Sequence, residues 1–284
     1  MNIKTIGIIG AGTMGSGIGQ VMALSGFDVI MLDVKDEFIQ KGMGNIKRGL
    51  DKMLEKGKIT PKEKQETVAR IRTTTRLEDI AKADFVIEAA SEVEELKLNI
   101  FKKLDKICPK DSILSTNTSS ILITCIASAT NRPDKVIGMH FMNPAPVMKL
   151  VEVIKGKNTS DETLAVVKNL TEKIGKVSVE SKDRPGFIVN RILMPMINEA
   201  VFALMEGAAS KEDIDSAMVL GTNQPIGPLA LADLIGLDTV LFIMESIYRE
   251  TGEQKHQPCP LLKKYVEAGK VGKKAGEGFY KYDT

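Results

Sequence analysis

The sequence predicts an α/β fold: an open, mainly parallel sheet covered by helices, followed by a region made of helices alone. Three observations predict it. Short, unbroken apolar runs alternate with longer amphipathic ones through the first two-thirds of the chain. A glycine-rich turn joins the first apolar run to the first helical one. Beyond Arg184, helical patterns follow one another without a convincing strand. Strands buried on both faces read as continuous apolar runs, and their alternation with helices is the pattern of a parallel sheet.

Candidate strands are Thr5–Ile9, Asp28–Leu32, Phe85–Glu88, residues 112–115 and residues 136–140, with a returning run at 149–154. Candidate helices fill the gaps at residues 14–25, 38–56, 94–107 and 160–174. Residues 41–76 are polar and rich in lysine, and Thr60-Pro61-x-Glu63 reads as a helix start with proline in the first turn. We therefore expect a helical hairpin inserted between the second and third strands. The run 187–204 is apolar on more than one face, which predicts a buried helix bent at Pro195. Ser210-x-x-Asp213 resembles a capping box for the next helix. A boundary is expected at 183/184, giving domains 1–183 and 184–284.

Composition narrows the function. The 284 residues are 43% hydrophobic and 27% charged, ordinary for a core-forming protein. The 39 Lys and Arg nearly balance the 37 Asp and Glu, which gives no field for nucleic acid or a membrane surface. No apolar run is long enough to span a bilayer, and the N-terminus opens straight into a strand pattern. Cys108, Cys125 and Cys259 are far apart and match no disulfide or metal-ligand spacing, so we expect a cytoplasmic protein without metal.

Gly10-Ala11-Gly12-Thr13-Met14-Gly15 follows a strand and opens a helix, the context that turns a G-x-G-x-x-G into a dinucleotide site. Gly10 permits the tight turn, Gly12 lets the pyrophosphate approach, and Gly15 lets helix and strand pack closely. The second strand ends at Asp33, where a carboxylate accepts from ribose hydroxyls and repels a 2′-phosphate. Together these predict a Rossmann-type dinucleotide-binding domain, carrying the inserted hairpin and followed by an all-α C-terminal domain, with NAD as cofactor.

Hydride transfer from an alcohol needs a partner for the hydroxyl proton, most often histidine. The chain has His140 and His256. His256 lies in a polar, proline-containing stretch and reads as an exposed loop residue. His140 ends a core strand on the edge where open α/β sheets bind ligands. The turn Phe141-Met142-Asn143-Pro144-Ala145-Pro146 follows, and a reversal near Pro146 places residue 140 opposite Glu152. Glu152 is the one acid in Leu150–Ile154, costly there unless paired. Pairing would fix the tautomer of His140. Ser115-Thr116-Asn117-Thr118-Ser119-Ser120 follows another core strand on the same edge; its hydroxyls and amide suit cofactor or substrate oxygens, though a polar loop would look the same.

The glycine motif, Asn117-Thr118-Ser119-Ser120, His140-Phe141-Met142-Asn143-Pro144, Arg184-Pro185-Gly186-Phe187-Ile188-Val189-Asn190-Arg191 and the closing Gly276-Glu277-Gly278-Phe279-Tyr280-Lys281-Tyr282 together resemble the 3-hydroxyacyl-CoA dehydrogenase family over essentially the whole chain. The length resembles that of its short bacterial members, which act on 3-hydroxybutyryl-CoA. The resemblance implies reversible, NAD-dependent oxidation of the (S)-3-hydroxyl of an acyl-CoA to the ketone. It implies His140 as base, Glu152 as its partner, and Ser119 and Asn190 as substrate contacts near the reacting oxygens. It also implies Asp33, Glu92, Lys97, Asn117, Asn143 and Lys274 as cofactor contacts, beside Gly10, Gly12, Thr13, Met14 and Gly15. Lys56 falls near the CoA moiety, while a serine that some relatives carry beside it is Gly49 here. A homodimer through the helical domain is implied as well. Two other readings remain: a dehydrogenase of a free 3-hydroxy acid, and an NAD-binding protein without catalysis. Omitting CoA from the assay separates the first, and any NADH turnover excludes the second.

Overall fold

The computed structural model describes residues 3–283. The chain divides into two compact units, Met1–Arg184 and Pro185–Thr284.

The first unit holds an eight-stranded sheet. β1 (Thr5–Ile9) leads through the glycine turn into α1 (Thr13–Leu24) and returns as β2 (Asp28–Leu32). Next come α2 (Asp36–Glu55), α3 (Pro61–Ala69) and β3 (Ile71–Thr74). The hairpin is present, and α3 starts where the sequence places it. Thr60 accepts from Glu63 N, and the Glu63 carboxylate accepts from Thr60 N at 2.7 Å, a reciprocal cap beside Pro61. Its final residues, though, are not helical: Ile71–Thr74 is the outermost strand, paired parallel with β2.

β4 (Phe85–Glu88), α4 (Glu94–Ile107), β5 (Ile113–Thr116), the short α5 (Ile123–Ala127) and β6 (Val136–Phe141) continue the parallel sheet. β7 (Leu150–Lys155) runs antiparallel to β6, and after α6 (Asp161–Lys173) the chain adds β8 (Val177–Lys182), parallel to β7. The sheet order is β3-β2-β1-β4-β5-β6-β7-β8. The order reverses at β1, between β2 and β4, and such a switch point opens a crevice beyond the carboxyl ends of the strands. β8 was not expected from sequence. It is an edge strand, polar along Ser178, Glu180 and Lys182, with Val177 and Val179 exposed, so it lacks an apolar run.

The core of this unit is made by β1, β2, β4, β6 and β7 against α1, α2 and α6, through residues such as Ile8, Met31, Ile46, Ile87, Met139 and Val167. Two close backbone approaches fix the sheet's upper edge. A Cβ at Gly42 of α2 would lie 2.5 Å from Ala11 O, and one at Gly15 of α1 would lie 1.8 Å from Gly10 O.

The second unit is helical: α7 (Val189–Met205), α8 (Lys211–Thr222), α9 (Pro228–Ile235), α10 (Leu237–Thr251) and α11 (Pro260–Glu267). α7 begins two residues later than the sequence suggests, because Gly186 and Phe187 take left-handed backbone angles, φ 75 and 49. It runs uninterrupted through Pro195. Ser210 caps α8 by accepting from Asp213 N at 3.1 Å. Met194, Ile197, Leu229, Val240, Met244 and Phe279 are among the residues that fill its core.

The glycine-rich tail has a mechanical reason. Asp233 accepts from Phe279 N, Tyr280 N and Tyr282 Oη at 2.9, 2.8 and 3.0 Å. A Cβ at Gly278 would lie 2.0 Å from Asp233 Oδ1. His256 corrects the expectation of an exposed loop histidine. Residues Gln254–His256 form a 3-10 turn packed on α7 and α10, and His256 is 0% exposed. Its Nδ1 meets Thr251 Oγ1 at 3.1 Å, while Nε2 is buried without a hydrogen-bond partner.

Candidate active site

In the first unit, the expected residues that follow or end strands gather at one edge of the sheet because the parallel strands all end there; Lys56, at the far end of α2, is not among them. Gly10 follows β1, Asp33 follows β2, Glu88 ends β4, Asn117 follows β5, and His140 is the next-to-last residue of β6.

The glycine turn shows a different physical reason at each position. Gly10 has φ 97, and a Cβ there would lie 2.6 Å from Ala89 O. Gly15 lies against Gly10 O, as above. A Cβ at Gly12 meets no protein atom within 4 Å. The space over Gly12 is open, which fits the close approach of a pyrophosphate. α1 begins at Thr13 and Met14 with no side-chain cap and no acid in its first turn. Its N–H groups and dipole therefore present an anion site. Asp33 accepts from Ala11 N at 2.7 Å and from Val34 N at 2.7 Å, tying the end of β2 to the turn. Lys35 is drawn to Glu37 Oε1 at 3.5 Å and lies 5.6 Å over the Phe38 ring.

A buried charge network lies between the ends of β4 and β5. Lys97 of α4 is 1% exposed; its Nζ is 2.7 Å from Glu88 Oε1 and 3.4 Å from Glu92 Oε2. Glu88 also accepts from Ala90 N and Thr116 Oγ1, each at 2.7 Å. Glu92 Oε1 accepts from Ser119 N at 2.9 Å, Ser120 N at 3.0 Å and Ser120 Oγ at 2.9 Å, and from the Thr118 hydroxyl. Burial alone would raise the Glu92 pKa, but the Lys97 ammonium and these donors hold it below the ordinary carboxylate value. The anion thus shapes the loop that carries Ser119. Removing one partner of a buried pair of this kind costs about 3–5 kcal/mol. Glu88 escaped the sequence reading. Its signal was the one that marked Glu152: a lone acid in an apolar strand.

Asn117 Oδ1 accepts from Phe141 N at 2.9 Å, joining this loop to the residue after His140. His140 is paired with Glu152 across β6 and β7, and its Nδ1 lies 2.7 Å from Glu152 Oε2. His140 is 7% exposed and Glu152 0%. Against a carboxylate oxygen Nδ1 carries the proton, which leaves the lone pair on Nε2. Asn143 is exposed and precedes Pro144 through a cis peptide bond. Lys56 caps α2 and is exposed. Gly49 is explained by its neighbour: a Cβ there would lie 2.4 Å from Oε1 of the buried Gln20.

In the second unit, Asn190 lies in the first turn of α7 and is 7% exposed. Lys274 Nζ lies 2.6 Å from Asp238 Oδ2.

Fold and site together define an NAD-binding dehydrogenase of the Rossmann class. Residues 5–184 match the family model "3-hydroxyacyl-CoA dehydrogenase, NAD binding domain", and residues 186–282 match "3-hydroxyacyl-CoA dehydrogenase, C-terminal domain". The chain belongs to the 3-hydroxyacyl-CoA dehydrogenase family. A Bacillus subtilis protein named probable 3-hydroxybutyryl-CoA dehydrogenase is 54% identical over 283 residues, covering 100% of this chain and 99% of the relative. A Clostridioides difficile 3-hydroxybutyryl-CoA dehydrogenase is 51% identical over 278 residues, covering 98% and 99%. The crystal structure of an (S)-3-hydroxybutyryl-CoA dehydrogenase from Ralstonia eutropha matches with a TM-score of 0.95 at 49% identity, covering 100% of both chains.

Proposed function

We propose that this enzyme interconverts (S)-3-hydroxybutyryl-CoA and acetoacetyl-CoA with NAD, and that His140 is its general acid–base. The observation that carries the reading is the buried His140–Glu152 pair, 2.7 Å apart, on the strand edge that also bears the glycine turn. NAD, when bound, would supply the acceptor for the hydride from substrate C3. His140 takes the 3-hydroxyl proton at Nε2 as the carbon–oxygen double bond forms, and returns it in the reduction. Glu152 holds the proton on Nδ1 and stabilises the imidazolium that results. Ser119 and Asn190 hydrogen-bond the substrate near its reacting oxygens. Glu92 with Lys97, Asn117 and Asn143 would hold the cofactor, Asp33 would accept from the adenosine ribose, and Lys56 would lie near the CoA phosphates. Lys274 joins the cofactor contacts from the tail.

The division at Arg184 supports a two-domain reading, in which the N-terminal domain binds the cofactor and the C-terminal one serves substrate and dimerisation. We further propose a cytoplasmic homodimer paired through the helical unit. Among the described residues no helix is long and apolar enough to cross a membrane.

The deciding experiment follows NADH oxidation with acetoacetyl-CoA, longer 3-ketoacyl-CoAs and free acetoacetate. The expected order puts acetoacetyl-CoA first and free acetoacetate near background. Turnover of the free acid at a comparable kcat/KM would replace this reading with a 3-hydroxy acid dehydrogenase.

A further inference from the structure

The turn between β6 and β7 carries Asn143 and joins the strands that hold His140 and Glu152. It is gripped from two sides. On one side Pro146 and Ala145 lie against bare backbone in α1: a Cβ at Gly17 would stand 3.2 Å from Pro146 Cδ and 3.3 Å from Ala145 Cβ. On the other, Lys176 reaches under the turn from just before β8. Its Nζ donates to Ala145 O and to Met148 O, both at 2.6 Å. Inside the turn, Val147 N and Met148 N both donate to Pro144 O, at 2.9 and 3.0 Å.

The chemistry of this clamp is unusual. Lys176 is 8% exposed, yet its ammonium rests on two neutral carbonyls, and among the described residues it forms no ion pair. Burial lowers its pKa from the ordinary lysine value. Burying a cation without a counter-ion is costly, and an apolar side chain would fill the same space without that cost. What the ammonium adds is geometry: one atom fixes the carbonyls of residues 145 and 148 together. The ammonium thereby ties the turn to the segment that leads into β8, while the packing of Pro146 and Ala145 on Gly17 seats it against α1, the helix whose N-terminus forms the anion site.

We propose that Lys176 is a positioning residue for the cofactor: its ammonium clamps the β6–β7 turn by two carbonyls and so aims Asn143 at NAD. The proposal rests on the reading that Asn143 touches the cofactor, and the experiment separates the two. NADH dissociation constants are measured by fluorescence titration on the enzyme without substrate, for Asn143→Ala, Lys176→Met, the double variant and Lys176→Arg. Asn143→Ala and Lys176→Met each weaken NADH binding by about tenfold. The double variant is no weaker than the worse single one, because both changes act on one contact. Lys176→Arg, whose guanidinium can donate to both carbonyls, keeps most of the affinity, and KM for acetoacetyl-CoA moves little in Lys176→Met. If Lys176→Met fails to fold, Lys176→Gln, which keeps a donor, takes its place in the cycle. A silent Asn143→Ala overturns the cofactor reading of Asn143 and the Lys176 proposal with it. If Asn143→Ala weakens NADH while the Lys176 change is silent or additive, the Lys176 proposal alone is overturned. A variant that lowers only the thermal midpoint returns Lys176 to a structural role.

Discussion

His140 and Glu152 are directly opposite partners in the antiparallel ladder of β6 and β7, and their side chains meet on one face at 2.7 Å. Backbone pairing thus sets the distance between imidazole and carboxylate before any side-chain packing is considered. Two variants probe the pair. His140→Ala lowers kcat by roughly two to four orders of magnitude, as expected for loss of a general acid–base group. NADH affinity stays near wild type in a fluorescence titration. Glu152→Gln presents an amide that can donate to Nδ1 and invert the tautomer, so its kcat falls by up to about four orders of magnitude. Substantial kcat in purified His140→Ala would rule out this base.

The proposed role of Asp33 is to set the choice between NAD and NADP. Asp33→Ser combined with Val34→Arg weakens NADH and strengthens NADPH use, measured as the ratio of the two kcat/KM values. Each lost ribose hydrogen bond to the carboxylate is worth about 1.5–3 kcal/mol. A wild-type enzyme that prefers NADPH would contradict this account.

Asn190→Ala depresses kcat with acetoacetyl-CoA while NADH binding and thermal midpoint stay close to wild type. Asn190→Asp does worse, since a carboxylate replaces the amide donor beside an oxygen that gains negative charge. Normal kcat in both variants would remove Asn190 from the site.

His256 gives the helical unit a sensitivity to acid. Burial first, and then Lys255, lower its pKa; Glu253 opposes them and Arg191 reinforces them. The unfolded chain therefore binds this proton at a higher pH than the folded one. Stability is intact above the ordinary value of 6.5 and is lost as pH falls from there through the lower folded value. In His256→Gln, the drop in thermal midpoint between about pH 7 and about pH 5 is smaller than in wild type. An unchanged drop would show that other groups carry the acid sensitivity.

The central strands were legible because burial on both faces forces an unbroken apolar run: β1, β2 and β4 fall where the sequence places them. The two strands that were not legible, β3 and β8, are the two edges of the sheet. An edge strand needs no such run, and Arg72 and Thr73 or Ser178 and Glu180 look like loop residues. Opposition of residues 140 and 152 could be counted along the chain because a hairpin is local. The Glu88–Lys97 contact was harder to see, since a lysine in a charged helix reads as facing water until the sheet is built beneath it. Burial of His256 depends on which helices close over a polar stretch, and its own neighbours carry no trace of that.

The β6–β7 hairpin also limits which mutations of length this gene can accept. Side chains alternate faces along a strand, so a one-residue slip of β7 against β6 would set Val151 or Val153 opposite His140 and turn Glu152 to the other face. A single codon gained or lost between the two strands, if absorbed by sliding, would leave a folded sheet in which His140 has lost Glu152. A shift by two would restore the face but move the carboxylate about 7 Å along the strand.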